Sequence, residues 1–128
     1  MALIRNTQLL KVLSEIVEVR GDLVEIGTFR ADTFKRLAMI GKHSPGFDSF
    51  EGMAPPTEKD FGYYSEGKLS CGGIKAFIEI MEKAGVPSEA YTLHPGWFPD
   101  CFDSFSERSI AFALVDVDQY RPTLDALK

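Results

Sequence analysis

Gly21-Asp22-Leu23-Val24-Glu25-Ile26-Gly27-Thr28-Phe29-Arg30 is the stretch whose reading decides the fold. Leu23 to Ile26 make a short apolar strand. Gly27 permits a tight turn into a helix-forming segment, Ala31 to Ile40, which carries Phe34, Leu37 and Ala38 on one side and Asp32 in its first turn. A carboxylate at such a strand tip accepts hydrogen bonds from hydroxyl or amino groups, and a glycine beside it lets a ligand approach the backbone. The order strand, acid, glycine, helix therefore suits a nucleotide-like cofactor. A dinucleotide fingerprint wants further glycines in the turn, and Phe29 and Asp32 stand there instead, which disfavours nicotinamide and flavin.

Upstream, Leu9, Leu10, Leu13, Ile16 and Val17 recur at three- and four-residue spacings, predicting an amphipathic helix that Gly21 ends. Downstream, Pro45 to Met53 hold a short strand ending in Asp48, followed by a turn. From Ala54 to Gly67 the chain is rich in Pro, Gly, Tyr and charge without a clear period, and loops of that length are usually functional or mobile. Tyr63 and Tyr64 in it are either substrate contacts or solvated loop residues. A helix from Gly72 to Ala84 buries Ile74, Phe77, Ile78 and Met81, and Gly85 stops it. Tyr91 to His94 form a third strand, closed by Pro95 and Gly96. Ile110 to Val117 form a fourth, apolar enough to be covered on both faces. Pro122 suits the first turn of a last helix.

Strands alternating with helices predict an α/β fold, a doubly wound, Rossmann-like parallel sheet with right-handed crossovers, whose ligands bind beyond the carboxyl ends of the strands. Glu25, Asp48, Gly96 and Asp116 all fall at those ends.

Composition narrows the function. The 128 residues make a single domain, 45% hydrophobic and 26% charged, as in ordinary globular proteins. A net charge of −5 with dispersed Lys and Arg argues against nucleic acid as a partner. No apolar run approaches the roughly 18 residues of a membrane span, and no signal peptide is evident, so the expected location is the cytoplasm. Cys71 and Cys101 lack metal-ligand spacing and read as reduced thiols.

Several candidates keep two readings. Asp48 lies roughly 20 residues beyond Gly27, where an acid accepts bonds from ribose hydroxyls, or it is a surface turn residue. Trp97, in Gly96-Trp97-Phe98-Pro99-Asp100, either stacks on a purine or packs as core or lid. Asp116 and Asp118 share one face of a strand end by the two-residue period; they bind a hard cation such as Mg²⁺ or cap the next turn. His43 and His94 are isolated and read as surface or turn residues.

The set Gly21 to Gly27, Phe47-Asp48-Ser49-Phe50-Glu51-Gly52-Met53, Gly96 to Asp100 and Asp116-Val117-Asp118-Gln119-Tyr120 resembles the macrocin O-methyltransferase (TylF-like) family of class I S-adenosylmethionine-dependent methyltransferases. The resemblance runs from about Gly21 to Leu127, with the motifs in family order, and implies the N-terminal four strands of a class I methyltransferase fold. It implies that Glu25 and Gly27, with Thr28, shape the methionine and ribose part of the cofactor site. It places Asp48 and Ser49 at the ribose, Gly96 and Trp97 near adenine, Asp116 as a metal ligand and Asp118 as general base. The reaction implied is methyl transfer to a hydroxyl of a small molecule, a sugar or glycosylated metabolite. In the family the chain continues into more strands bearing further acidic metal ligands, so this sequence is expected to be an incomplete domain. Its fourth strand is then expected to offer an open edge to a second copy. The alternative is a non-catalytic, truncated remnant serving as a cofactor-binding or assembly module.

Overall fold

The strand at the centre of the sequence argument is the centre of the sheet. β1 (Asp22–Ile26) is buried at every position, as an apolar strand flanked on both sides and covered on both faces must be. The computed structural model describes residues 2–53, 55–60, 62, 66–67, 70–105 and 108–128, with residues 2–6 described by backbone alone. The remaining elements are α1 (Ala2–Ile16), α2 (Phe34–Ala38), β2 (Ser44–Asp48), α3 (Ile74–Lys83), β3 (Tyr91–Pro95), β4 (Ile110–Val115) and α4 (Tyr120–Ala126). Short 3-10 turns occupy Glu58–Asp60, Ser88–Ala90 and Asp100–Ser104.

The four strands are parallel and ordered β3-β2-β1-β4. The chain steps outward from β1 to β3, then returns across the sheet to lay β4 on the other side of β1. That reversal creates a topological switch point between β1 and β4, where open α/β sheets form a crevice.

Side chains alternate across β1 as the two-residue period requires. Leu23 packs with Leu13 of α1 and Leu37 of α2. Val24 and Ile26 point to the other face, against Phe47 and Cys101, with Phe98, Phe102 and Phe105 around them. Gly46 on β2 leaves room for Phe34, because a Cβ there would stand 2.8 Å from Phe34 Cζ. The Phe34 ring then reaches Phe77 at 5.8 Å and Tyr91 at 5.9 Å, tying α2, α3 and β3 into one core.

Several elements differ from the sequence expectation: α1 ends at Ile16 rather than running to Gly21, and Leu10, Val17 and Ile78 are exposed. The helix expected from Ala31 to Ile40 is only Phe34–Ala38, because Phe29 and Ala31 adopt left-handed φ of 45° and 66° and spend those residues on the turn. The third helix starts at Ile74, since Gly72 and Gly73 have φ of 101° and 99°. The fourth strand stops at Val115, and none of its positions is fully buried; Ile110 is 50% exposed. Among the described strands it is outermost, beside β1, so its apolar run is not covered on both faces. The two-residue period consequently does not relate Asp116 to Asp118: both lie beyond the strand, and Asp118 has a left-handed φ of 57°.

Candidate functional site

The carboxyl ends of β1, β2 and β4 are locked together by backbone. Gly27 N–H donates to Phe47 C=O at 2.8 Å, and Asp116 N–H to Ile26 C=O at 2.9 Å. Gly27 has φ +90°, and a Cβ there would lie 2.2 Å from the Asp116 carbonyl oxygen. The glycine expected to admit a ligand is thus first of all what lets two strand tips touch.

Asp48 organises the turn between β1 and α2. Its Oδ2 accepts the backbone N–H of Thr28 at 2.8 Å and of Phe29 at 3.1 Å, and its Oδ1 accepts that of Phe50 at 2.9 Å. These bonds hold two residues, Phe29 and Phe50, at positive φ. Ser49 donates to the Gly52 carbonyl at 2.9 Å and accepts from Glu51 N–H, closing the turn after β2. With each carboxylate oxygen offering two lone pairs, Oδ2 is filled by the turn and Oδ1 retains one acceptor site.

A pocket of about 470 Å³ opens above these tips, within the ~300–1,000 Å³ range of small-molecule sites. Gly27, Asp48, Ser49, Trp97, Asp116 and Asp118 line it, as do Phe29, Met53, Thr57, Phe98, Gln119 and Arg121. Of the expected site residues, Glu25, Thr28 and Gly96 stay outside the lining. Glu25 is 2% exposed within β1, and Thr28 is buried under the turn. Gly96 has φ +141° and packs against Cys101, whose Cβ would be 3.1 Å from an added Cβ; its N–H bonds the Asp48 carbonyl at 3.0 Å. It thereby aims the next residue, Trp97, which is 40% exposed. Tyr63 and Tyr64 lie outside the described residues.

The site carries several carboxylates, and Asp48's charge is felt around it. The Cys101 thiol is pushed up to about 11, first by burial and then by Asp100 and Asp48. Burial likewise raises Cys71. Asp60 is held below the usual carboxylate range by the backbone N–H groups of Thr57 and Tyr120. Among the described residues no three His, Cys, Asp or Glu side chains gather to hold a metal ion, so the donor set around Asp116 does not fit Mg²⁺.

The histidines are not the isolated surface residues expected. His43 Nδ1 lies 3.4 Å from Asp22 Oδ2. His94 stacks on Phe47 at 4.6 Å and shares hydrogen bonds with Ser104 and Thr92, at 2.7 and 3.2 Å. Burial, then the charge of His43, lowers its pKa. Both cysteines are free thiols.

The segment after β2 has no clear hydrophobic period, yet Thr57-Glu58-Lys59-Asp60 follows the capping-box spacing with Asp in the acidic position, a local signal for its contacts. Asp60 Oδ2 accepts Thr57 N–H at 2.7 Å, while its Oδ1 accepts the N–H of Tyr120, at the start of α4, at 2.7 Å.

No protein-family model matches the chain, and no curated protein matches it in sequence. Solved structures do. The calicheamicin methyltransferase CalS11 superposes with a TM-score of 0.80 at 18% identity, over 98% of this chain and 58% of its own. The O-methyltransferase NovP superposes with a TM-score of 0.68 at 23% identity, over 90% of this chain and 57% of its own. The chain has the Rossmann-like fold of these methyltransferases and spans somewhat over half of their length. No helix among the described residues is long and apolar enough to cross a membrane.

Proposed function

We propose that this chain carries the cofactor half of an S-adenosylmethionine-dependent O-methyltransferase whose acceptor is a hydroxyl of a small molecule, a sugar or glycosylated metabolite. The observation that carries this reading is the pocket at the β1–β4 switch point, floored by Gly27 and Asp48 and flanked by Trp97 and Asp118, in a fold that methyltransferases share.

The pocket's residues divide the work. The remaining acceptor site on Asp48 Oδ1 holds a ribose hydroxyl, while the turn it pins keeps Phe29 and Ser49 in place. Trp97 and Phe98 offer flat apolar surface to an adenine. Glu25 and Thr28 act from beneath, shaping the turn. When bound, S-adenosylmethionine supplies an electrophilic methyl group on a sulfonium. Asp118, exposed at the pocket wall, takes the acceptor hydroxyl's proton onto a carboxylate oxygen, and Asp116 helps orient the acceptor.

Calorimetric titration with S-adenosylhomocysteine tests the reading directly: saturable one-to-one binding is expected, and no heat at millimolar ligand removes it. Asp118→Asn should leave that affinity within about twofold and lower methyl transfer roughly a hundredfold or more, the usual contribution of a positioned base. Equal loss of binding and turnover would make Asp118 a cofactor ligand instead. The outer side of β4 pairs with no strand among the described residues, and a second copy is the partner expected there. Sedimentation as a monomer at high concentration would eliminate that pairing.

A further inference from the structure

Asp60 joins two segments that are 60 residues apart in sequence. The residue is 7% exposed, and its two oxygens are divided between the segments. Oδ2 serves Thr57, accepting its N–H at 2.7 Å and its hydroxyl at 3.1 Å. Oδ1 accepts the N–H of Tyr120, the first residue of α4. Gln119, the residue preceding that helix, makes no side-chain cap bond, so Asp60 supplies the cap from a distant loop. Lys59 strengthens the junction: its Nζ donates to Tyr120 Oη at 3.0 Å and sits 4.1 Å from the ring centroid. Gly67 N–H closes the base of the loop on Met53 C=O at 2.9 Å.

Both segments reach the pocket. Pro55 and Thr57 line it from the loop; Gln119 and Arg121 line it from the start of α4. Asp118 lies two residues before α4, in a left-handed conformation of φ 57°, so the first turn of α4 sets where its side chain stands in the pocket wall. We propose that Asp60 is a positioning residue for the pocket, latching residues 55–60 to the first turn of α4 and so fixing the wall that presents Asp118. The inference rests on the cofactor reading above. One carboxylate provides both halves of the junction, so removing it releases the loop and uncaps the helix together.

The test uses Asp60→Ala, Asp60→Asn and, as a control at the opposite end of the sheet, Arg108→Ala. Each is compared with the unaltered chain well below its unfolding midpoint, with far-UV circular dichroism verifying the fold. Asp60→Ala should weaken S-adenosylhomocysteine binding about tenfold, because Thr57, Gln119 and Arg121 line the pocket from the released wall and must be re-ordered when the ligand binds. It should also raise acrylamide quenching of Trp97, the chain's single tryptophan, and speed amide exchange at both Thr57 and Tyr120. Asp60→Asn keeps one acceptor oxygen and should fall between; it carries the test if the alanine variant does not fold. Arg108→Ala should lower stability while leaving affinity and Trp97 quenching within about twofold, a separation that a merely structural Asp60 would not produce. Unchanged exchange at Thr57 and Tyr120 in a folded Asp60 variant overturns the proposal, as does an affinity loss matched by Arg108→Ala. If the unaltered chain binds no S-adenosylhomocysteine, the cofactor reading fails alone, and the exchange and quenching data still decide the latch.

Discussion

The two ends of the sheet use the same side chain in opposite ways. At the amino end, Asp22 is 5% exposed and meets a cation: Arg108 grips it through two nitrogens, with Nη2 to Oδ1 at 3.0 Å, and the His43 ring stands beside it. Burial alone would raise its pKa, but the Arg108 and His43 interactions together hold it below the ordinary 3.8. At the carboxyl end, Asp48 and Asp60 are satisfied by backbone N–H groups and threonine hydroxyls. A cation cancels the charge; an amide dipole stabilises it without cancelling it. Asp22 is therefore sealed by an ion pair, while Asp48 and Asp60 keep their negative charge near the pocket, whose wall also carries the Arg121–Asp125 pair.

This contrast can be broken experimentally, and the largest effect belongs to Gly27. An added Cβ meets the Asp116 backbone in a left-handed conformation, so Gly27→Ala should cost about 3 kcal/mol or more in urea unfolding. A loss below about 1 kcal/mol would mean the strand tips are not locked. Asp48→Ala strands the N–H groups of Thr28, Phe29 and Phe50, and should cost about 2–3 kcal/mol and remove measurable S-adenosylhomocysteine binding. Unaltered binding would take the ribose role away from Asp48. Trp97→Ala should weaken the same binding by about 1 kcal/mol, roughly fivefold, without changing stability to the same degree.

The amino end predicts a pH signature. Because the folded-state pKa of Asp22 is lowered, its contribution is present above 3.8 and is lost as pH falls through the depressed value. Arg108 is itself half-exposed, so the effect should be modest. Urea midpoints of the unaltered chain and Arg108→Ala should differ at neutral pH and converge below pH 3.8. A constant difference would show that Arg108 acts by packing rather than charge. The smallest effect is expected at Ala31, fully buried at φ 66°. Ala31→Gly relieves left-handed strain but loses a buried methyl and adds unfolded-state freedom, so its net change should stay under about 1 kcal/mol.

Much of the architecture was legible because local rules and tertiary structure agree. Leu23 to Ile26 read as buried strand and are; Phe34, Leu37 and Ala38 share a buried helix face as their spacing predicts. The pocket lining contains Gly27, Asp48, Ser49, Trp97, Asp116 and Asp118 because residues at parallel strand ends necessarily converge. What escaped the reading depends on backbone torsions or distant partners. Nothing in Thr28 to Ala31 announces two left-handed non-glycine residues; those conformations are held by Asp48, contributed by the next strand. Asp118 lost its strand-face relation to Asp116 for a similar reason, since β4 ends at Val115.

By itself the sequence determined the order of elements, the parallel α/β class and the end of the sheet at which the acidic residues gather, because hydrophobic period and glycine placement are local properties. Tertiary structure alone decided which aspartates meet cations and which meet amides. It also placed β4 on the far side of β1 and paired Asp60 with an amide 60 residues away. Partner choice at that distance is fixed by how the whole chain packs, which no short window of sequence records.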